Sequence, residues 1–545
     1  MKCRFAAVLI LIVLLSALIV GLMGGGSATK AAAAASTNNE FLANYTDAID
    51  VIQKNYMYDV DSDNLVYSSI KGMLRILDPH SNFMDPKEFA ELRDGQRSRY
   101  YGLGIRIRTQ MGEERGRQVI VEPPSPGTPA YKKGLRAGDI ITRIEGEPID
   151  NWTQSDVISK LRGPRRTTVN ISIERPGVRD LLEIAIERDE IPQPTIPYAF
   201  EIRPGVGYIK MERFNETTTG ELKKALEELK GISSLILDLR DNGGGLLNQA
   251  ISVSGFFLSR GELVVSTRGR AEGSARVYES PGTETIDLPL VVLINRASAS
   301  ASEIVAGALQ DHDRALIVGE TSFGKGLVQS VYTMSNNTGM MLTTAKYYTP
   351  SGRLIQRDYS SSLFEYFVHA GDDEQQPDNE REIRYTDNER AVYGSGGITP
   401  DIVESARTLN RFESLLRSKD VLFYYAQRLT LGEVPSAQNF KLPEGANEQA
   451  GPENRKNVNS ASVFVITEDI FNDFRQFLKD RNVEFTEEDL TANADYIKRQ
   501  ILQGVYTFHY GIQEGYKISV EGDNQVQKAL TEMPAAKILM TSGSF

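Results

Sequence analysis

The 545-residue chain has a single cysteine, Cys3, so it cannot form an internal disulfide framework or a multi-cysteine metal site. Its four histidines, His80, His312, His369 and His509, are scattered, and no pair has the spacing of metal ligands. Basic residues do not dominate: 61 Lys and Arg stand against 73 Asp and Glu, for a net charge of −12. The concentrated basic patch of a nucleic-acid surface is therefore missing, and no nucleic-acid partner is expected. No metal or organic cofactor is implied. What the chain has in quantity is apolar residues, 40% of the total. That suffices for several cores, and the length suggests about three or four domains.

Long uncharged runs are scarce, with one exception. Lys2 and Arg4 precede a nearly unbroken apolar stretch from Phe5 to Met23. Its length fits either a bilayer span or a long signal peptide. The basic residues before it place the bulk of the protein outside the cytoplasmic membrane, in the periplasm or an equivalent extracytoplasmic space. Residues 1–38 thus read as a signal peptide or membrane anchor with an Ala-rich spacer, and whether it is cleaved stays open. Cys3 lies before the apolar run, where the lipid-modified cysteine of an exported lipoprotein would not be.

Beyond the spacer, Phe41, Tyr45, Ala48, Ile49, Ile52 and Tyr56 recur at helical spacing, and a second periodic stretch runs from Leu65 to Leu77. Residues 39–95 read as a helical region that serves as a cap or a self-association surface. From about Tyr100 the texture changes to short strands separated by turns, with brief helices near Pro129–Lys133 and Gln154–Arg162. From Ile196 to about Ser405 strands and helices alternate, the pattern of an α/β layer whose ligands sit beyond the carboxyl ends of its strands. Asp372 to Arg390 is charged and poor in apolar residues, as in a surface insertion. Residues 431–462 read as a polar linker. In the helical region that follows, 463–545, Ile470, Phe471, Phe474, Phe477 and Leu478 share one face and a second helix opens at Thr486. That tail suggests a docking or assembly element.

Two stretches invite chemistry. GETSFGKGLVQ, Gly319 to Gln329, resembles a phosphate-binding loop, but such a loop needs Ser or Thr after its lysine and a helix directly behind. Here Gly326 follows Lys325, and a β-branched, strand-like run comes next. Nucleotide binding is disfavoured. The second stretch, NRASASASEI, follows the buried run LPLVVLI and places Ser300 at the mouth of a helix, with Glu303 three residues on. A capping box accounts for both residues. The same position suits a nucleophile, because a serine at a strand-to-helix turn stands clear of the sheet and the Ala301 amide faces a developing oxyanion. Such a serine needs a base. His312, in the polar turn DHDR, reads as a surface residue. Lys325, between glycines, can act instead if burial lowers its pKa, and Gln329 would share its strand face. Gly243, Gly244 and Gly245 can turn amides towards the same anion, or can serve only a tight turn. Taken together, these residues suggest acyl transfer by a Ser–Lys dyad.

These motifs resemble the carboxyl-terminal processing, or tail-specific, proteases from about Asn39 to Ser405. DPHSNFM is similar to their helical N-terminal motif, and YYGLGI with YKKGLRAGDIITRIEG to their PDZ domain. LDLRDNGGG, NRASASASEIVAGALQD, GETSFGKGLVQ, YYTPSGRLIQ and GITPD resemble successive blocks of the protease domain. The resemblance implies a multidomain α/β protein: a crotonase-like protease core (178–430) with an inserted PDZ domain (96–177) and helical segments at both ends. It implies Ser300 as nucleophile, Lys325 as general base and Gln329 as its orienter, with oxyanion amides from Gly244 and Ala301. It also implies capture of a substrate's free, apolar C-terminus at the amides of Leu103, Gly104 and Ile105. The alternative is an inert PDZ scaffold of the envelope. Expected partners are protein or peptide substrates, the membrane if the N-terminus is retained, and a further copy of the chain through the terminal helices.

Overall fold

The structure is a computed structural model and describes residues 39–112, 116–282, 285–360, 363–368, 381–437 and 464–542. The apolar run from Phe5 to Met23, residues 372–380 of the charged stretch and most of the expected linker (438–462) lie outside the described residues. Among the described residues no helix is long and apolar enough to cross a membrane, and no cluster of three or more His, Cys, Asp or Glu is placed to hold a metal ion.

The chain divides into two compact units. The described part of the first comprises residues 39–87 and Val331–Leu342. A helix over 39–55 is followed by Ser62–Arg75, which Asp61 caps by accepting the Asp63 N–H. The strand Asn82–Met84 pairs antiparallel with Gly339, Met340 and Met341, and Tyr67 packs on Phe83 with ring centres 5.4 Å apart. Phe41, Leu42, Ile52, Tyr56, Met57, Ile76 and Leu77 all face outward.

The second unit holds everything else. Its centre is a six-stranded sheet in the order Tyr198–Arg203, Val206–Lys210, Ser234–Asp238, Leu290–Ile294, Leu316–Gly319, Ile402–Val403. The first pair is antiparallel and the rest are parallel. The uninterrupted apolar runs of the central strands follow from burial on both faces. Leu235 and Leu237 point into one core and Ile236 into the other; Leu290, Val292 and Ile294 alternate with Val291 and Leu293 in the same way. Each such side chain contributes about 1.5–3 kcal/mol on burial. The first core is closed by the helices Thr218–Glu228, Leu247–Ser254 and Ala301–Asp311.

The second core is closed by the far end of the chain. Val520, Val526, Ala529 and Ala536, from the helices Ile512–Glu521, Asn524–Thr531 and Met533–Ser542, pack on Tyr208, Ile236, Val291, Leu293, Leu316 and Val318. The tail is therefore not only a docking appendage: its last three helices are the third layer of the α/β domain. The helices Arg411–Ser418 and Val421–Thr430, placed with the protease core by the boundary at 430, share a separate apolar cluster with the helices between 468 and 510. That cluster contains Ile470, Phe471, Phe474, Phe477 and Leu478, the face read from the sequence, and Thr486 caps the following helix through Asp489.

A smaller domain follows the helix Pro86–Gln96. Its sheet runs Ile107–Gly112, Gly116–Val121, Ile140–Ile144, Thr168–Glu174, Leu182–Glu187 around a core of Leu103, Val119, Val121, Ile141, Val157, Leu161 and Ile171. A boundary at 177 cuts this sheet. Leu182–Glu187 pairs with Thr168–Glu174 and buries Ile186, and Asp189–Pro192 pairs back onto Arg99–Gly102 as a two-stranded stem. The charged stretch is a further departure from expectation. Where described, it is tied into the fold: Arg381 is buried and donates to Gly394 O, Ser395 O and Thr399 Oγ1, and Arg390 binds Asp313 and Asp401. Its polarity serves ion pairs with the helix end at 311–313 rather than solvent.

Candidate active site

Three adjacent parallel strands deliver three loops to one edge of the sheet. Asp238 leads into the glycine loop, Ile294 into the serine turn and Gly319 into the lysine loop. This adjacency brings together residues separated by some eighty positions in sequence.

Ser300 is half-buried and sits directly before the helix Ala301–Asp311 with φ +56° and ψ −113°. A non-glycine residue held there carries backbone strain, which clusters at functional turns. Its N–H donates to Glu303 Oε2 at 2.7 Å, as a capping box requires, while its hydroxyl makes no cap hydrogen bond. The capping and nucleophilic readings of this serine are thus compatible, since the cap uses its backbone. The Ala301 N–H, in the first turn, has no intrahelical partner.

Glu303 is fully buried and accepts four donors. Oε2 takes the N–H groups of Ser300 (2.7 Å) and Lys325 (2.9 Å); Oε1 takes Ser322 Oγ (2.6 Å) and the Gly324 N–H (2.7 Å). Burial raises its pKa above the usual carboxylate value, and these hydrogen bonds oppose the rise. Tyr347, also buried, donates from its hydroxyl towards Lys325 O and Ser300 O, the latter at 3.2 Å. Lys325 and Ser300 are therefore fastened backbone to backbone on both sides. Beyond them, Lys325 Nζ, in the loop, donates at 2.8 Å to Oε1 of Gln329, on the strand Leu327–Thr333. Gln329 Nε2 is buried without a hydrogen-bond partner among the described residues.

Gly244, with φ +96°, backs directly onto the serine turn. A Cβ there would meet Ala299 O at 2.7 Å, Ser300 Cβ at 2.8 Å and the Ala301 nitrogen at 2.9 Å. Its N–H, however, donates to Asn242 Oδ1 at 2.9 Å. The donor role expected of Gly244 is already filled in this structure, and what the residue supplies here is the absence of a side chain. Asn242 was not singled out from the sequence, yet its carbonyl accepts both the Ala299 N–H (3.0 Å) and Ser302 Oγ (2.8 Å).

His312 is no free surface residue. It closes the far end of the serine helix, some 16–18 Å from Ser300 by helix rise. Its Nδ1 pairs with Asp387 and its Nε2 with Leu263 O, both at 2.7 Å. Burial disfavours its charge, but these two bonds outweigh that and raise its pKa.

In the smaller domain the expected carboxylate loop spans Leu103, Gly104 and Ile105. Leu103 is buried and its carbonyl accepts the Ala130 N–H at 2.9 Å. Gly104 has φ +79°, and a Cβ there would lie 2.3 Å from Thr128 Cβ, so glycine is required. The loop's carbonyls turn towards 125–130. Burial raises the nearby Tyr100 phenol, against the opposing pull of Arg162, Arg106 and the Gly104 N–H. Among the described residues the strand Ile107–Gly112 pairs with a neighbour on one side only, and Gln154 Nε2 donates to its Ile107 O at 3.1 Å. Arg108 on the same strand pairs with Asp420 at 2.5 Å, its guanidinium 3.7 Å from the Phe423 ring, and Gln427 reaches Ala137 O at 3.3 Å. Residues 420–427 thus grip the smaller domain.

Known proteins share these parts. The sequence profile described as Peptidase family S41 matches residues 205–360, the PDZ domain profile 94–174, and that of the activating protease CtpB N-terminal domain 24–88. The carboxy-terminal-processing protease of Bartonella bacilliformis is 41% identical over 322 residues, covering 58% of this chain and 72% of that one. The chloroplastic C-terminal processing peptidase of Tetradesmus obliquus is 36% identical over 304 residues, covering 52% and 64%. A solved photosystem II D1 C-terminal processing protease is 30% identical, covering 64% of this chain and 84% of its own, with a TM-score of 0.35. The three matched profile ranges end at residue 360.

Proposed function

This chain belongs to peptidase family S41 as a carboxy-terminal processing protease with a PDZ domain, and from that premise we propose an exported endopeptidase that works through Ser300 and Lys325. One observation carries the assignment of the dyad: both residues hang on the same oxygen of the buried Glu303, with Gln329 holding the lysine amine.

Lys325, as the free amine, takes the proton from Ser300 Oγ while that oxygen attacks the substrate carbonyl. The resulting oxyanion is met by the Ala301 N–H, at the positive end of its helix. Collapse of the intermediate breaks the C–N bond, and the lysine ammonium gives its proton to the departing amine. Water then repeats the sequence on the acyl-serine, with Lys325 as base again, and releases the acid. Gly244, lacking a side chain, lets its loop pack directly against the turn that carries Ser300.

Substrate choice falls to the PDZ domain. An extended C-terminus adds to the open edge of Ile107–Gly112, its carboxylate at the Leu103, Gly104 and Ile105 amides, its apolar side chain against the Leu103, Val157 and Leu161 core. Adding that strand displaces Gln154 from Ile107 O. Export follows from Lys2, Arg4 and the apolar run behind them. Self-association is supported by the outward apolar residues of 39–87.

The test is hydrolysis of a peptide ending in apolar residues, compared with the same peptide amidated at its C-terminus and with the Ser300→Ala protein. Cleavage should be lost with Ser300→Ala, and kcat/KM should fall about tenfold or more on amidation. Equal cleavage of both peptides would remove the PDZ from substrate selection. Full activity of Ser300→Ala would remove the mechanism.

A further inference from the structure

Behind the serine turn lies a buried ionic cluster for which the reaction above has no use. Asp238, at the end of its strand and fully buried, accepts from Tyr208 Oη (2.7 Å), Lys210 Nζ (3.2 Å), and Arg240 Nε and Nη2 (3.0 and 2.6 Å). Arg240 Nη1 points the other way, to Asp523 Oδ2 at 2.8 Å and Gln525 Oε1 at 2.7 Å. The two partners of Nη1 come from the start of the helix Asn524–Thr531, more than 280 residues away in sequence.

We propose that Asp523 and Gln525 are positioning residues for the active site: by fixing the Arg240 guanidinium, they fix the 239–244 segment on which the serine turn is built. The proposal rests on the protease reading of Ser300. The physical path is short. Lys210 Nζ holds Arg240 O at 2.5 Å, and the Arg240 N–H returns to Asp238. One residue earlier, Leu239 O accepts Ser298 Oγ at 2.9 Å. Two residues later, Asn242 O accepts the Ala299 N–H and Ser302 Oγ, and Gly244 abuts Ser300 Cβ. The residues flanking Ser300 on both sides are thus bonded to this segment, and any movement of the segment moves the nucleophile.

Charge explains why the tail must contribute. Lys210 and Arg240 bring two cations, and Asp238 supplies one anion. Asp523 supplies the second, so the cluster is balanced only when the tail is docked. An unbalanced buried cation is costly, and the segment carrying it would shift towards solvent. The clamp is itself held rigidly. Asp523 caps its own helix by accepting the Val526 N–H at 3.0 Å, and Gln525, almost fully buried, donates to Glu404 O at 2.6 Å. Tyr516 adds a third grip, stacking on Tyr198 at 3.8 Å and lying 3.1 Å from Tyr208 Oη. Tyr516, Asp523 and Gln525 all lie beyond the last profile match at 360.

The experiment uses the whole chain with a cleavable tailed peptide and an active-site titrant to count competent serines. Asp523→Asn keeps the helix cap, because asparagine caps as well as aspartate, and removes only the charge. Combined with Gln525→Ala, it should lower kcat about tenfold or more while KM stays within about twofold, since displacing a nucleophile by tenths of an ångström is felt in chemistry rather than binding. Asp523→Asn alone should fall between. A clamp that only stabilises would lower Tm and leave kcat per titrated serine unchanged, and that result overturns the proposal. If the double variant does not fold, Asp523→Asn alone decides on the same two parameters. If the parent chain cleaves no peptide and matches Ser300→Ala, the failure is of the protease reading; if the parent cleaves and the variants equal it, only the clamp fails.

Discussion

Ser300 and Lys325, 25 positions apart, donate their backbone N–H groups to one oxygen of Glu303, at 2.7 and 2.9 Å. The two residues are therefore aligned by main chain, and neither bond uses their side chains. Replacing either side chain should leave this frame standing. Ser300→Ala and Lys325→Ala are each expected to reduce peptide hydrolysis at least about 10³-fold with Tm nearly unchanged. A Lys325→Ala protein of full activity would end the dyad assignment.

Glu303→Gln tests the frame itself. An amide has one accepting oxygen in place of two, and its NH₂ would face two N–H or O–H donors in a fully buried site. We expect a loss of about 2–4 kcal/mol in unfolding free energy, with activity falling alongside. Chemical denaturation measures the first and peptide cleavage the second; a stable, active Glu303→Gln protein would show that the carboxylate is dispensable.

Gly244→Ala is the smallest change that reaches the serine. The new methyl would sit within 3 Å of three backbone or Cβ atoms of residues 299–301, at a φ of +96° that alanine rarely adopts. Strain of about 1–3 kcal/mol and a fall in kcat of about 10²-fold or more are expected, the second from displacement of the turn and its amide. Retention of kcat would mean that the loop can retreat from Ser300 without cost.

His312 gives a pH signature away from the active site. Because its pKa is raised in the folded state, the stability it contributes is fully present below the ordinary imidazole value of about 6.5 and is lost as pH rises through the higher folded value. The Tm difference between the parent and Asp387→Asn should accordingly be largest at acid pH and shrink through neutrality. A gap that is constant from about pH 5 to 9 would contradict the charged His312–Asp387 pair.

The alternation of the catalytic sheet was legible because both faces are buried, which forces runs such as LVVLI and leaves glycine and serine turns conspicuous between them. Ser300 and Lys325 stood out for a related reason, each lying in a loop that follows a buried strand, while Gln329 lies within the next strand, Leu327–Thr333. Glu303 was visible only as a capping residue. Its further bonds to Ser322, Gly324 and Lys325 depend on a loop from a neighbouring strand, which no local pattern announces. Asn242 and Tyr347 left no signal in spacing, since Asn242 acts through its own carbonyl and the Tyr347 hydroxyl bonds to the carbonyls of Lys325 and Ser300. The tail's amphipathic helices announced that they would be covered, but an apolar face does not name its partner. The sheet they cover lies two hundred or more positions earlier in the chain.

That outer layer has a consequence for where the α/β domain can be divided. The groups that seal Ile236, Val291 and Leu293 and neutralise Arg240 come from residues 512–542. Cutting ahead of them would bare an apolar sheet face and leave the Arg240 guanidinium one carboxylate short. The sheet and the helices more than a hundred positions downstream therefore make one folding unit, and neither is expected to be soluble without the other.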